Sequence, residues 1–102
     1  GLPDLATSPV VTAGAAGANS YLYAFYYSVD YTVFSLSYQT IGPTVQVGVF
    51  DAAAPETSPI SISGIPALTN GLINNYDVSN IKIQIFRTST GGTFFPPFAN
   101  TD

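Results

Sequence analysis

The chain contains neither cysteine nor histidine. Together these absences exclude thiolate zinc sites, disulfide frameworks, cysteine nucleophiles, histidine-based triads and imidazole metal ligation. The redox compartment stays open. Charge is scarce as well: charged residues make up 8% of the chain, about a third of the usual share. Only Lys82 and Arg87 are basic against six acidic residues, which argues against electrostatic binding of nucleic acid. No run of eighteen apolar residues occurs and no basic stretch leads into an apolar one, so neither a membrane span nor a signal peptide is expected. Methionine is missing too. Gly1 therefore does not begin a nascent chain, and the sequence is expected to be a processed product or a segment of something longer.

What remains is apolar and hydroxylic. With 102 residues, 46% of them hydrophobic, residues 1–102 are expected to form one domain that buries roughly two-thirds of its unfolded surface. A surface so poor in charge must be covered by Ser, Thr, Asn, Gln, Gly and Tyr. Such a surface suits contact with other protein or with glycan.

The stretch from Ser20 to Val33 organises the rest. Tyr21, Tyr23, Phe25, Tyr27, Val29, Tyr31 and Val33 recur at period two, so they line one face of a single long strand. Leu22, Ala24 and Tyr26 on the alternate positions are apolar or amphipathic, whereas Ser28, Asp30 and Thr32 are polar. The pattern predicts burial on both faces in the first half and on one face in the second.

Around this strand, residues 1–8 read as an extended lead-in and Pro9 to Ala13 as a short edge strand. Gly14 to Asn19 is expected to be a loop, because two glycines fall within four residues. Phe34-Ser35 is a turn, and Leu36 to Ile41 a hairpin partner ended by Gly42-Pro43. Thr44 to Phe50 alternates with Val45, Val47 and Val49 on one face, Asp51 to Pro59 is an exposed connection, and Ile60 to Ser63 is a further strand. Leu68 to Asn80, rich in Asn, Gly and Asp, reads as a long loop with room for one helical turn. Ile81 to Thr88 is the second strong strand; Ser89 to Gly92 forms its hairpin loop and Thr93 to Phe95 starts the return, stopped by Pro96-Pro97. Residues 96–102 make a short terminal segment. The sum is an all-β domain, an antiparallel β-sandwich of about seven strands with the turn spacing of an immunoglobulin-like or fibronectin type III fold.

The Tyr-rich strand, Gly42-Pro43-Thr44-Val45-Gln46-Val47, the Ile-Ser-Ile-Ser-Gly-Ile-Pro segment at 60–66 and the hairpin from Ile81 to Phe95 together resemble the fibronectin type III-like modules of tailed-bacteriophage virion proteins. The resemblance runs from about Thr12 to Asp102, and its most specific part is the hairpin. The chain departs from those modules at Phe95-Pro96-Pro97-Phe98, where they carry a longer strand and a further turn. The resemblance implies a spacer, decoration or assembly module in a tail, fibre or capsid protein, located in the virion, with other virion proteins or copies of itself as partners. It implies no catalytic residues and no cofactor.

The tyrosines can be read in two ways, as core rings or as a platform for glycan stacking or protein contact. Tyr26 and Tyr38 are expected to be the exposed members and the candidates for contact. Asn74, Asn75 and Asp77, with Asn80, offer oxygen ligands of the kind calcium takes, but with one carboxylate and no recognisable loop spacing they read as turn formers. Arg87 is a candidate to pair with Asp77 or Asp51 or to reach a neighbouring subunit. Asp30, Asp51, Glu56 and Asp77 fall on different elements, and nothing marks two of them as an acid and base pair. The chain therefore reads as a non-enzymatic structural module. A carbohydrate-binding or adhesion module, with surface glycan as partner, is the alternative. A filament subunit completed by a neighbour's strand is a third reading.

Overall fold

A computed structural model describes residues 2–68, 72–73 and 76–88. Every described strand pairs antiparallel, and the only helical element among these residues is one 3₁₀ turn. The strands are β1 (Val10–Thr12), β2 (Ala16–Val33), β3 (Leu36–Ile41), β4 (Val45–Ala52), β5 (Ser61–Ser63), β6 (Leu72–Ile73), β7 (Tyr76–Asp77) and β8 (Lys82–Arg87), with the 3₁₀ turn at Val78–Asn80 before β8.

β2 is the axis of the molecule. Tyr23 faces both Val47 of β4 and Arg87 of β8, so β4 and β8 lie on opposite edges of β2. Ser28 faces both Ile41 of β3 and Lys82 of β8. Hence β3 and β4 run end to end along one edge, as the broken return arm of a single long hairpin. The break is a one-residue insertion at Gly42-Pro43-Thr44, since the pairing passes from Ser28↔Ile41 to Phe25↔Val45. The Gly42 amide bridges it by donating to the Tyr27 carbonyl at 2.8 Å. A second irregularity lies between Ala16 and Tyr21, opposite Ala52, with Asp51 at φ 53°. Such insertions bend a strand. An unbent strand of 18 residues would extend about 56 Å, more than the 47 Å longest dimension of the molecule.

The core follows the period-two row. Tyr21, Tyr23, Phe25, Tyr27 and Val29 are buried, with Val45, Val47 and Val49 beside them on β4. Cover comes from distant parts of the chain: Leu2 and Leu5 of the lead-in, Val11 of β1, Ile62 of β5, and Leu68, Tyr76 and Ile81. The β1 and β5 strands pair through Val11↔Ile62, which places these two apolar side chains together over the sheet.

Several expectations are corrected. The segment from Ala16 to Asn19 belongs to β2 rather than to a loop, because Gly17 lets the chain lie against the Ala52-Ala53 backbone, where a Cβ would come within 2.5 Å of the Ala52 carbonyl oxygen. β4 runs on to Ala52, which is fully buried, so the exposed connection starts later than Asp51. The end of β2 is exposed on both faces from Asp30 to Val33, not on one. Among the described residues the cover reaches only to Val29. The Leu68 to Asn80 segment contains the expected helical turn together with the small β6–β7 pair. The hairpin loop at 89–92, the return strand at 93–95 and the terminal segment at 96–102 lie outside the described residues.

Candidate functional site

The uncovered end of the long hairpin holds an apolar cluster. Tyr31 faces Tyr38 and Val33 faces Leu36 across the β2–β3 ladder, with Phe34 at the turn between them. Side chains directly opposite across an antiparallel ladder share a face, and these four continue the face that carries the core row. All five residues are exposed: Phe34 by 96%, Leu36 by 59%, Tyr31 and Tyr38 by 44% each, and Val33 by 42%. The Tyr31 and Tyr38 rings stack with centroids 5.4 Å apart and planes 19° from parallel. The stack joins β2 to β3 where none of the described residues forms a covering layer.

The reverse face of the same arm is polar. Asp30 accepts from the Gln39 amide at 3.0 Å and from the Lys82 ammonium at 3.1 Å. These bonds, led by that from Lys82 and then that from Gln39, hold the Asp30 carboxyl below the usual carboxylate range. Ser28, fully buried beneath them, accepts from the Gln84 amide at 3.0 Å. The arm is thus amphipathic, with an apolar face on one side and hydrogen-bonded pairs on the other.

The turn itself is unusual for its residues. Phe34 and Ser35 both have positive φ, 50° and 65°, the condition of the two-residue type I′ hairpin that Asn-Gly normally fills. Left-handed backbone costs an ordinary side chain about 1–2 kcal/mol. A large aromatic held there in full exposure makes the tip the candidate contact point.

A second apolar feature lies farther back on the same face. Tyr27, Pro66, Leu68, Val78, Ile81 and Ile83 line a cavity of about 190 Å³. The Tyr27 hydroxyl donates to the Pro66 carbonyl at 3.1 Å, and burial raises the phenol's pKa. Tyr27 is followed at period two by Val29 and then by exposed Tyr31. Cavity and tip therefore share one line of side chains.

The residues singled out from the sequence do not converge. Tyr38 is in the tip cluster. Tyr26 is corrected from exposed to buried: it is 5% exposed and stacks against Phe86 at 5.9 Å between centroids, because β8 flanks it on the face opposite the core row. That burial raises its pKa. Arg87 pairs with neither Asp77 nor Asp51; its guanidinium lies over the Tyr21 ring, 5.3 Å from the centroid. It faces Tyr23, eight residues along β2 from Tyr31, a separation of about 26 Å. Asp77 caps the 3₁₀ turn, its Oδ1 accepting from the Ser79 hydroxyl at 2.8 Å and the Ser79 amide at 3.0 Å. These bonds lower its pKa. Asn74 and Asn75 lie outside the described residues. Among the described residues no three acidic side chains gather, and no helix is long and apolar enough to cross a membrane.

Sequence reading missed Phe34, Val33 and Leu36 as site residues. The signal was present in the row itself, since it continues past the polar alternate positions to a turn containing Phe where Asn or Gly is the usual choice. No protein family, curated protein or solved structure matches the chain.

Proposed function

We propose that this chain is a non-enzymatic structural module, an antiparallel β-sandwich of fibronectin type III or immunoglobulin-like type, that serves a virion protein as spacer, decoration or assembly element. It works through protein-protein contact. The observation that carries this reading is the apolar row of β2 running beyond its cover to the Phe34 tip, while the reverse face of the arm is closed by its own hydrogen bonds. Asp77 and Asp30 are engaged in local bonds, which supports a mechanism residing in shape rather than in proton transfer. The virion setting rests on the resemblance of the Tyr-rich strand and the Ile81 to Phe95 hairpin to phage modules. A bacteriophage particle is the natural place to look.

The test is to raise an antibody against the folded domain and apply it to purified particles, with mass spectrometry of the same fraction. Labelling, with peptides of the domain recovered in proportion to a known structural protein, supports the reading. Absence from particles overturns it. The exposed Tyr31–Tyr38 stack favours one alternative, a glycan-binding adhesion module, because an outer ring face remains open for stacking. Saturable binding on a glycan array, lost in Tyr38→Ala with the fold intact, would put that alternative in its place.

A further inference from the structure

Phe34 is a knob, and the cavity at Tyr27 and Ile83 has the size and lining of its hole. An apolar cavity of about 150 Å³ takes up benzene, and the cavity here is about 190 Å³, so it accommodates the benzyl side chain of a phenylalanine. Within one chain the two cannot meet. Phe34 lies seven residues beyond Tyr27, about 23 Å along a strand.

We infer that the tip of one copy docks on a second copy, Phe34 entering the cavity lined by Tyr27, Pro66, Leu68, Val78 and Ile83, and that the exchange is reciprocal. The reason for reciprocity is that the hole and the tip residues Tyr31, Val33, Leu36 and Tyr38 lie on one face of one long hairpin, with Phe34 at its end. Two copies laid face to face and antiparallel place each tip over the other's cavity, so the contact closes as a two-fold dimer instead of propagating. The midpoint between Tyr27 and Phe34 falls at Asp30 and Tyr31, so the two Tyr31–Tyr38 stacks meet at the axis. No charged side chain is present in the tip cluster, and the Lys82–Asp30 pair lies on the reverse face. Among the described residues nothing charged is therefore desolvated at the centre of the contact, where charge is ordinarily depleted.

The area suffices for a specific contact. At their observed exposures the five tip side chains present on the order of 600 Å² of surface. A standard interface buries about 800 Å² per partner, and the cavity rim supplies part of the difference. Phe34 is the anchor of the interface, a buried aromatic in a fitted pocket. The strained turn is then explained: the left-handed backbone that disfavours phenylalanine sets this fully exposed side chain at the very tip of the arm.

This inference rests on the proposed assembly role, naming its partner as a second copy. It is tested by molar mass over a wide concentration range, by light scattering and sedimentation equilibrium, for the unaltered chain, Phe34→Asn and Phe34→Ala. Asparagine suits the type I′ turn better than phenylalanine does, so Phe34→Asn is expected to melt at the same or a higher temperature while its dimer dissociation constant rises about a thousandfold, since both copies lose their anchor and each anchor is worth about thirtyfold. Because the chain has no cysteine, Ser35→Cys and Ala67→Cys place unique thiols beside the knob and at the exposed rim of the hole. Mixed and treated with a short bismaleimide, the two variants should cross-link to each other in preference to themselves. A chain that stays monomeric at its solubility limit, a dimer unchanged by both Phe34 substitutions, or cross-linking confined to Ser35→Cys with itself overturns the inference. So does binding of the tip to phosphatidylcholine vesicles with no dimer, which would make lipid its partner. A monomer that is nevertheless found on particles would end the self-docking inference and leave the structural role intact.

Discussion

Thr44 shows how one atom can be at odds with its surroundings. Its hydroxyl is buried in the break between β3 and β4 without a hydrogen-bond partner, and a buried unpartnered hydroxyl costs about 1–3 kcal/mol. Thr44→Val keeps the shape and removes the polar atom, so it should stabilise the domain by about 1 kcal/mol, read as a rise in the urea midpoint with unchanged slope. Asp30 gives a pH signature at the same scale. Its folded pKa is depressed, first by the Lys82 hydrogen bond and then by that of Gln39. The pair therefore supports the arm at all pH above the usual carboxylate range and ceases to do so as pH falls through the depressed value. In Lys82→Gln the Asp30 titration, followed by carboxyl carbon NMR, should move back up toward the ordinary carboxylate range. The residues assigned to contact from sequence divide here as well. Tyr26 and Tyr38 are chemically alike, yet one is buried and the other exposed. Residue type alone does not separate them; Tyr26 has Phe86 of β8 stacked beside it, whereas Tyr38 lies on the arm beyond the reach of β8.

At the scale of elements, the long hairpin owes its shape to two interruptions. One lies at Gly42-Pro43-Thr44 and the other opposite Ala52. Gly17 is required at the second, since a Cβ there would meet the backbone of both Ala52 and Ala53 at 2.5–2.6 Å. Gly17→Ala must push the two arms apart and is expected to cost about 1–3 kcal/mol, seen as a lowered midpoint of thermal unfolding. Strand identity was largely legible: β2, β3, β4 and β8 all show the alternation expected for their ladders, and Phe34-Ser35 turns where the pattern breaks. The extension of β2 back to Ala16 was not legible. Ala, Gly and Asn carry little strand preference of their own, and that segment is extended only because Ala52 and Ala53 arrive from 33 residues away to pair with it.

Across the whole molecule, stability should be graded along β2. Residues 23–28 lie under the core cover with β8 on one edge and the β3–β4 arm on the other, whereas residues 30–33 pair on one edge with β3 and have no cover among the described residues. Amide hydrogen exchange should therefore show greatest protection at Tyr23 to Tyr27 and least along the Tyr31 to Tyr38 arm, opening without global unfolding. Uniform protection along β2 would contradict this picture, unless it fell at low concentration and so reported the dimer. By itself the sequence determined that the chain is β-rich, that its longest strand carries an aromatic face, and that cysteine and histidine chemistry are excluded. These follow from composition and from a side-chain period of two, which is a local property of the backbone. Only the tertiary structure decided where the row stops being core and becomes surface. Leu2, Leu5, Val11, Ile62 and Leu68 come from remote parts of the chain to cover it as far as Val29, and burial depends on that long-range packing, which no local pattern encodes.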